Sequence, residues 1–145
     1  MRATGIVRRI DDLGRVVIPR EIRRTMNISE GEPLEIFTDK GMVIFKKYKA
    51  YEVNYELMFQ VTAAMFDIAG IYNEKGELVR VGANYTLDTR IIANPKGVTE
   101  HNNVLIIPIE DDGGDLVALI AAGVNTDEEV EAIRRLALAT LTTNE

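Results

Sequence analysis

The chain has 145 residues, of which 17 are Lys or Arg and 23 are Asp or Glu, so its formal net charge at neutral pH is −6. This length suits one ordinary domain or two small ones. The absence of cysteine excludes disulfides, thiolate metal sites and cysteine nucleophiles, and the single histidine, His101, excludes a multi-histidine metal site. The start does not resemble a signal peptide, and no apolar run approaches the roughly 20 residues that cross a bilayer. We therefore expect a cytoplasmic protein without a membrane partner.

The charge is divided unevenly along the chain. Taken whole, the net acidity argues against nucleic acid as a partner. Residues 1–50 nevertheless carry 11 basic and 7 acidic side chains, whereas residues 51–145 carry 6 basic and 16 acidic ones. Seven arginines lie within the first 24 residues. This asymmetry indicates a polyanion-binding end joined to an acidic module, although a merely solvated basic face has the same composition.

The first 50 residues predict four short strands, at Gly5–Ile10, Arg15–Ile18, Pro33–Thr38 and Met42–Tyr48. Turns are predicted between the paired segments, at residues 11–14 and at residues 39–41, because each contains Asp and Gly. Pro19 ends the second strand and suits the first turn of a helix, which we expect over Arg20–Met26.

This short helix predicts two different faces. At about 100° per residue, Ile22 and Met26 lie within about 40° of each other. The opposite side carries three arginines, Arg20, Arg23 and Arg24. Guanidinium groups are always charged and bind phosphate oxygens in pairs, so this face suits a nucleic-acid backbone. The alternative is a solvated arginine face paired with Glu21 or Glu30.

A segment of about 50 residues with so short a helix buries little surface by itself. Its strands are nevertheless rich in apolar side chains, which need a partner. These are Ile6, Val7, Ile10, Val16, Val17, Ile18, Leu34, Ile36, Val43, Ile44 and Phe45. We therefore expect an obligate dimer.

One motif carries a family resemblance. The string LGRVVIP at residues 13–19, followed by Ile22-Arg23-Arg24 and continued at residues 30–37 and 43–48, resembles the AbrB/SpoVT-type transition-state regulators. The resemblance covers residues 1–50 and implies a swapped-hairpin dimer, in which strands of two chains interleave into a β-barrel-like body that binds double-stranded DNA. It implies recognition of DNA shape in A/T-rich regions. The implied DNA-binding residues are Arg8, Arg15, Arg23 and Arg24, with Arg9 and Arg20 as additions from the basic face.

The second half predicts a mixed α+β domain. Val53–Ile68 reads as a helix that is apolar on two sides, and it is either sandwiched against a partner chain's helix or buried within one core. Two hairpins are predicted, at residues 70–81 and 104–122, separated by a polar loop at residues 84–103. A last helix begins at a capping box formed by Thr126 and Glu129. This order predicts an antiparallel sheet flanked by helices.

The layout of residues 51–145 resembles a reduced GAF-type sensory domain, and the match covers mainly about residues 104–143. The resemblance rests on Pro108-Ile109, the segment at residues 114–120, and Thr126-Asp-Glu-Glu before the final helix. The chain is shorter than that pattern between Val81 and Val104, where GAF domains build their pocket lid. Whether this half binds a small-molecule effector therefore stays open. We expect two domains, at residues 1–50 and 51–145.

Other candidate sites have ordinary alternatives. The cluster at residues 110–115 suggests Ca²⁺ or a solvated hairpin turn, and the turn fits its two glycines better. His101 is either an exposed loop residue or part of a ligand site. The run at residues 46–49 either contacts DNA or forms a linker. Tyr72, Arg80, Tyr85 and Arg90 either line a small pocket or have separate surface and core roles.

These observations favour a DNA-binding transcriptional regulator that is a homodimer or homotetramer. Its C-terminal domain is expected to mediate oligomerisation and to sense a signal. The alternative is an antitoxin, because antitoxins share the swapped-hairpin fold and block a toxin with a C-terminal extension. Such extensions are usually short and disordered, whereas residues 51–145 have the patterning of a folded domain. No catalytic constellation is visible, so we expect neither an enzyme nor a cofactor.

Overall fold

The computed structural model describes residues 1–92 and 96–143. The chain divides into two compact units, Met1–Tyr48 and Lys49–Glu145. The described elements comprise three α-helices and nine strands, so the mixed α+β class is confirmed. Asn94 and Pro95, part of the expected polar loop, lie outside the described residues.

The N-terminal unit contains helix α1 (Arg20–Thr25) and a hairpin of strands β1 (Leu34–Asp39) and β2 (Met42–Lys47). The two strands pair antiparallel from Leu34 opposite Lys47 to Asp39 opposite Met42. Lys40 and Gly41 form the turn with φ values of 42° and 82°. Two positive φ values are typical of a type I′ turn, whose twist matches that of the strands. The predicted hairpin is confirmed.

The two predicted strands before α1 are wrong for the single chain. Residues 5–10 and 15–18 have no assigned strand, and only the turn between them forms, with the Asp11 amide donating to the Arg15 carbonyl at 3.0 Å. A strand needs a neighbour for its backbone groups, and one copy of the chain supplies none here. The apolar side chains of these segments stay exposed, Val7 by 85% and Val17 by 69%.

The C-terminal unit is built on a five-stranded antiparallel sheet. In spatial order its strands are β5 (Leu78–Val81), β4 (Ile68–Asn73), β8 (Leu116–Ala122), β7 (Val104–Glu110) and β6 (Thr99–His101). Helices α2 (Tyr55–Ala63) and α3 (Asp127–Ala139) pack on it. Strands β3 (Tyr51–Glu52) and β9 (Thr142–Thr143) pair with each other near the ends of the unit. The expected antiparallel sheet is confirmed.

The sheet has a different cover on each face. One apolar cluster joins Ile107 and Ile120 of the sheet to Met58 of α2 and Ile133 of α3, so both helices lie on that face. The other cluster contains Ile106 and Leu119, with Tyr85, Leu87 and Ile91 packed against it. Alternate residues of a strand point to opposite faces, which explains this division. The second face is therefore covered by the segment after β5 rather than by a helix.

Two expectations for this unit need correction. The helix predicted over Val53–Ile68 spans only Tyr55–Ala63, and Ile68 begins β4, where it pairs with Ala122. The sheet neighbour of Ile68 decides its conformation, and the local sequence pattern does not contain that neighbour. The polar stretch also contains β6, whose Thr99 pairs with Ile106.

The final helix follows its prediction. The Thr126 hydroxyl accepts the Glu129 amide at 3.2 Å and donates to the Glu129 carboxylate at 3.0 Å. This contact satisfies one of the amides that a helix leaves unpaired at its start. Val130, Ile133 and Ala137 are buried, as their spacing predicts.

Candidate nucleic-acid interface

Helix α1 is fixed at both ends. It begins after Pro19, which is buried, and the Arg23 amide donates to the Pro19 carbonyl at 3.0 Å. Asn27 has φ = 54°, and its amide donates to the Arg24 carbonyl at 3.2 Å. The Ile28 amide donates to the Arg23 carbonyl at 2.8 Å. This pair of bonds is a Schellman cap, with Asn in the left-handed position that Gly usually occupies. The cap fixes the last turn, which carries two of the candidate arginines.

The structure brings the three helical arginines together. All three are exposed, and they line a shallow depression of about 340 Å³ with Asn27 and Ile28. They are Arg20, Arg23 and Arg24. The negative end of the helix dipole lies at the last turn, so it favours the charges of Arg23 and Arg24 there. The surface presents guanidinium donors to solvent, as binding to a polyanion requires.

Arg15 lies in the turn before α1. Its Nε donates to Oδ2 of Asp11 at 2.8 Å, while its backbone amide donates to Oδ1 of the same carboxylate at 2.8 Å. These hydrogen bonds to Arg15, together with one from the Leu13 amide, lower the pKa of Asp11 below its ordinary 3.8. The Arg15 side chain remains 68% exposed. Asp11 therefore positions a guanidinium that still faces water.

Arg8 and Arg9 lie in the extended first segment, and both are exposed. Arg8 borders an apolar groove of about 360 Å³ that Val17, Ile22 and Phe45 also line. The structure therefore groups Arg20, Arg23 and Arg24 on one helix and places the other three candidates on the segment before it.

Lys47 has a structural contact that the sequence does not reveal. Its Nζ donates to the Asn27 carbonyl at 2.9 Å and lies 3.4 Å from the Glu32 carboxylate. It thus ties β2 to the end of α1. No local pattern links residues 20 positions apart, which is why the run at residues 46–49 reads as a plain basic cluster.

The apolar surface of the N-terminal unit is unusual for a folded domain. In residues 1–48, all of which the structure describes, Pro19 is the one buried residue. Every residue of the buried apolar core lies at position 58 or beyond. Fourteen large apolar side chains of the first 48 residues are exposed, far more than a stable monomer leaves in one region.

The other candidates have ordinary partners. The Asp111 carboxylate accepts the amides of Gly113 and Asp115 at 3.0 and 2.9 Å, as a hairpin turn requires. Among the described residues, no group of three or more His, Asp or Glu side chains is placed to hold a metal ion. His101 Nε2 lies 2.6 Å from the Asp88 carboxylate on an exposed surface.

The four residues considered for one pocket have separate partners. Tyr72 is buried, and its hydroxyl donates to the Asp88 carbonyl. Arg80 pairs with Glu56 of α2 at 3.0 Å. The remaining two, Tyr85 and Arg90, bond to Asp67 and Glu77 respectively.

Comparison with known proteins locates a clear similarity in the N-terminal half. Residues 7–52 match the family described as "Antidote-toxin recognition MazE, bacterial antitoxin". The chain is 58% identical over 71 residues to stage V sporulation protein T of Bacillus subtilis (strain 168), and 59% identical over 49 residues to the transition state regulatory protein AbrB of the same strain. Residues 7–52 form a domain of the MazE/AbrB type.

The similarity covers part of each protein. The matched segments span 48% of this chain and 40% of stage V sporulation protein T, and 34% of this chain and 51% of AbrB. The solution structure of the N-domain of the transcription factor AbrB matches 34% of this chain and 94% of its own, at 59% identity and a TM-score of 0.32. In the described part of the chain, no helix has the length and apolar character needed to cross a membrane.

Proposed function

We propose that this chain is a DNA-binding transcriptional regulator whose N-terminal unit acts as a homodimer. The observation that carries the proposal is the exposed arginine surface of α1, which lies inside a domain of the MazE/AbrB type. One similar solved structure is titled as the N-terminal DNA recognition domain of AbrB. Its chain is 59% identical to the matched 34% of this one.

A second copy of the chain completes the N-terminal unit in this proposal. Segments 5–10 and 15–18 carry β-branched residues but lack strand partners, and the groove beside α1 is lined by apolar side chains. Interleaving two copies as a swapped hairpin gives these segments neighbours and removes the apolar surface from water. It also doubles the arginine set, in which Arg8, Arg15, Arg23 and Arg24 are the main proposed phosphate contacts and Arg9 and Arg20 are additions from the basic face.

The arginines act on the DNA backbone. Each guanidinium offers five N–H donors to phosphate oxygens, and such contacts fix the position of a protein on the duplex without reading bases. Sequence preference then comes from the shape and flexibility of the duplex, as in A/T-rich segments with a narrow minor groove. The −10 charge of residues 51–145 keeps the other unit away from the phosphates.

The C-terminal unit is proposed to set the assembly and to sense a signal. Helix α2 buries Met58 and Thr62 against the sheet but leaves Leu57 exposed on another side, and Met65 in the turn after the helix is exposed as well. With Val61 these residues follow i, i+4, i+8 spacing, so we propose that they form one apolar stripe that runs along α2 and continues into the turn after it. A second α2 packed on this stripe produces a tetramer from two DNA-binding dimers. The GAF-like identity of residues 51–145 stays a prediction.

The proposal is tested by fluorescence anisotropy with the full chain and a labelled 30-base-pair A/T-rich promoter duplex. Arg23→Ala removes one charged contact per chain, so we expect the Kd to rise at least about tenfold. Arg135→Ala removes an exposed arginine from α3 and serves as the matched control. An unchanged Kd for Arg23→Ala, with the dimer intact, refutes the arginine surface as the DNA contact.

An antitoxin is the second candidate, and the description of the matching family favours it. Against it stands the C-terminal unit, a sheet with its own apolar core rather than a short extension. A stable complex purified with a small toxic nuclease, together with loss of that nuclease's toxicity, would reverse the order of the two candidates.

A further inference from the structure

A cavity of about 800 Å³ lies on the sheet face opposite helices α2 and α3. Ile106 of β7 belongs to the apolar cluster of that face and lines the cavity together with Ile91 and Ile92. Residues Thr99 to His101 of β6 line another part of it. Small-molecule sites typically enclose about 300–1,000 Å³ with a mostly apolar lining, and this cavity fits that class.

The cavity wall is held in place by bonds to the sheet. The Thr89 carbonyl accepts the Leu78 amide at 2.9 Å, and the Ile91 amide donates to the Gly76 carbonyl at 2.9 Å. His101 of β6, which lines the cavity, lies 2.6 Å from the Asp88 carboxylate. These contacts hold described parts of the lining against the sheet, which lowers the entropic cost of ordering those parts when a ligand binds.

The charged groups of the lining favour an anion. Among the lining residues described, two side chains are cationic, those of Arg90 and Lys96, and one is a carboxylate, that of Glu100. An Nη atom of Arg90 lies 2.8 Å from the Glu77 carboxylate, which orients the guanidinium while leaving it 70% exposed. Arginine forms paired hydrogen bonds with carboxylates, and such charge-assisted bonds are stronger than those to an uncharged oxygen.

We propose that this cavity binds a small organic acid, with a compact apolar body against the isoleucines and one carboxylate against Arg90 and Lys96. This assigns a ligand class to the unit that the proposed function treats as sensory. The two claims fail separately, because ligand binding is measured without DNA and DNA binding without ligand.

The test is an amide-resolved NMR titration of the full chain with three probes that share one apolar body: hexanoate, hexan-1-ol and hexylammonium. We expect saturable shifts at Ile91, Thr99, His101 and Ile106 with hexanoate. We also expect hexanoate to bind at least about tenfold more tightly than hexan-1-ol, as one charged hydrogen bond implies. Equal affinities for the three probes, shifts confined to residues 1–48, or the absence of saturation would each overturn the proposal.

Two variants separate the charge contribution from general loss of structure. Arg90→Gln and Lys96→Gln each weaken hexanoate binding several-fold while leaving hexan-1-ol binding unchanged. Lys75→Gln, at the exposed turn between β4 and β5, serves as the matched control and keeps the wild-type affinity. Wild-type hexanoate affinity in both cavity variants would contradict the assignment.

Discussion

The guanidinium of Arg15 closes a turn on the carboxylate of Asp11, with Nε and Oδ2 2.8 Å apart. The Arg15 amide and the Leu13 amide bind the other oxygen of that carboxylate. The same residue pair thus forms the turn and sets the direction of one candidate DNA contact. Neutralising the Asp11 carboxylate is therefore expected to weaken both the turn and the orientation of the Arg15 guanidinium.

The first prediction concerns the charge of Asp11. Its hydrogen bonds to Arg15 lower its pKa below 3.8 in the folded chain. The ionised Asp11 carboxylate therefore stabilises the turn at pH values above its ordinary pKa. This contribution is lost as the pH falls through the lower pKa of the folded chain. NMR titration of the Asp11 carboxyl measures this directly. We expect Arg15→Ala to raise the pKa, and an unchanged value would show that the ion pair is absent in solution.

The second prediction concerns the apolar surface of the N-terminal unit. Val17 is 69% exposed in one copy, so Val17→Asp costs a monomer little. If a second copy covers this surface, the change buries an unpaired charge and disrupts the assembly. Sedimentation of the full chain is expected to show a smaller mass for Val17→Asp. Val79→Asp, in the C-terminal unit, is the control.

An unchanged mass for Val17→Asp at micromolar concentration would contradict the dimer. If Val79→Asp also lowers the mass, the loss of assembly cannot be assigned to the apolar surface of the N-terminal unit.

The third prediction concerns the stripe on α2. Met65, in the turn that follows α2, is 70% exposed, and Met65→Glu places a charge at the end of the proposed stripe. We expect light scattering to show dimers in place of tetramers, while DNA binding by each dimer persists. Lys75→Glu alters a distant exposed turn and keeps the tetramer. A wild-type mass for Met65→Glu would exclude α2 as the contact between dimers.

The fourth prediction concerns alkaline pH. Burial, followed by the charge and hydrogen bond of Glu74, raises the pKa of Tyr55 from 10.0 to about 12. The folded chain then keeps a proton that the unfolded chain loses, so this stabilising contribution is present below pH 10 and is lost between pH 10 and about 12. Urea unfolding followed by circular dichroism measures the loss.

Tyr55→Phe removes that titration and is expected to show a smaller decrease in stability over the same pH window. The same decrease in both chains would assign the pH dependence to other groups.

Local signals made several elements predictable. Lys40-Gly41 suits a type I′ turn, Pro19 suits a helix start, and Thr126 with Glu129 caps α3; each depends on neighbours within a few residues. The early end of α2 is different, because Ile68 pairs with Ala122 in the sheet. No pattern within one segment contains that information.

The candidate site also has features that the local sequence predicts and features that depend on residues far apart in the chain. The periodicity of α1 predicts the grouping of its arginines, which the structure places around one depression. The contact of Lys47 with Asn27 and the cavity beside β6 both depend on residues far apart in the chain. The segments at 5–10 and 15–18 carry strand-forming residues, but their partner strands are absent from the single chain.

The dependence of DNA affinity on salt tests the central claim most directly. Four arginines from each of two chains, Arg8, Arg15, Arg23 and Arg24, neutralise about eight phosphates, so log K against log salt concentration is expected to have a slope of about −7. Arg23→Ala removes two of these contacts and reduces the magnitude of the slope by about 2. A slope near zero, or a wild-type slope for Arg23→Ala, would contradict DNA binding through this surface.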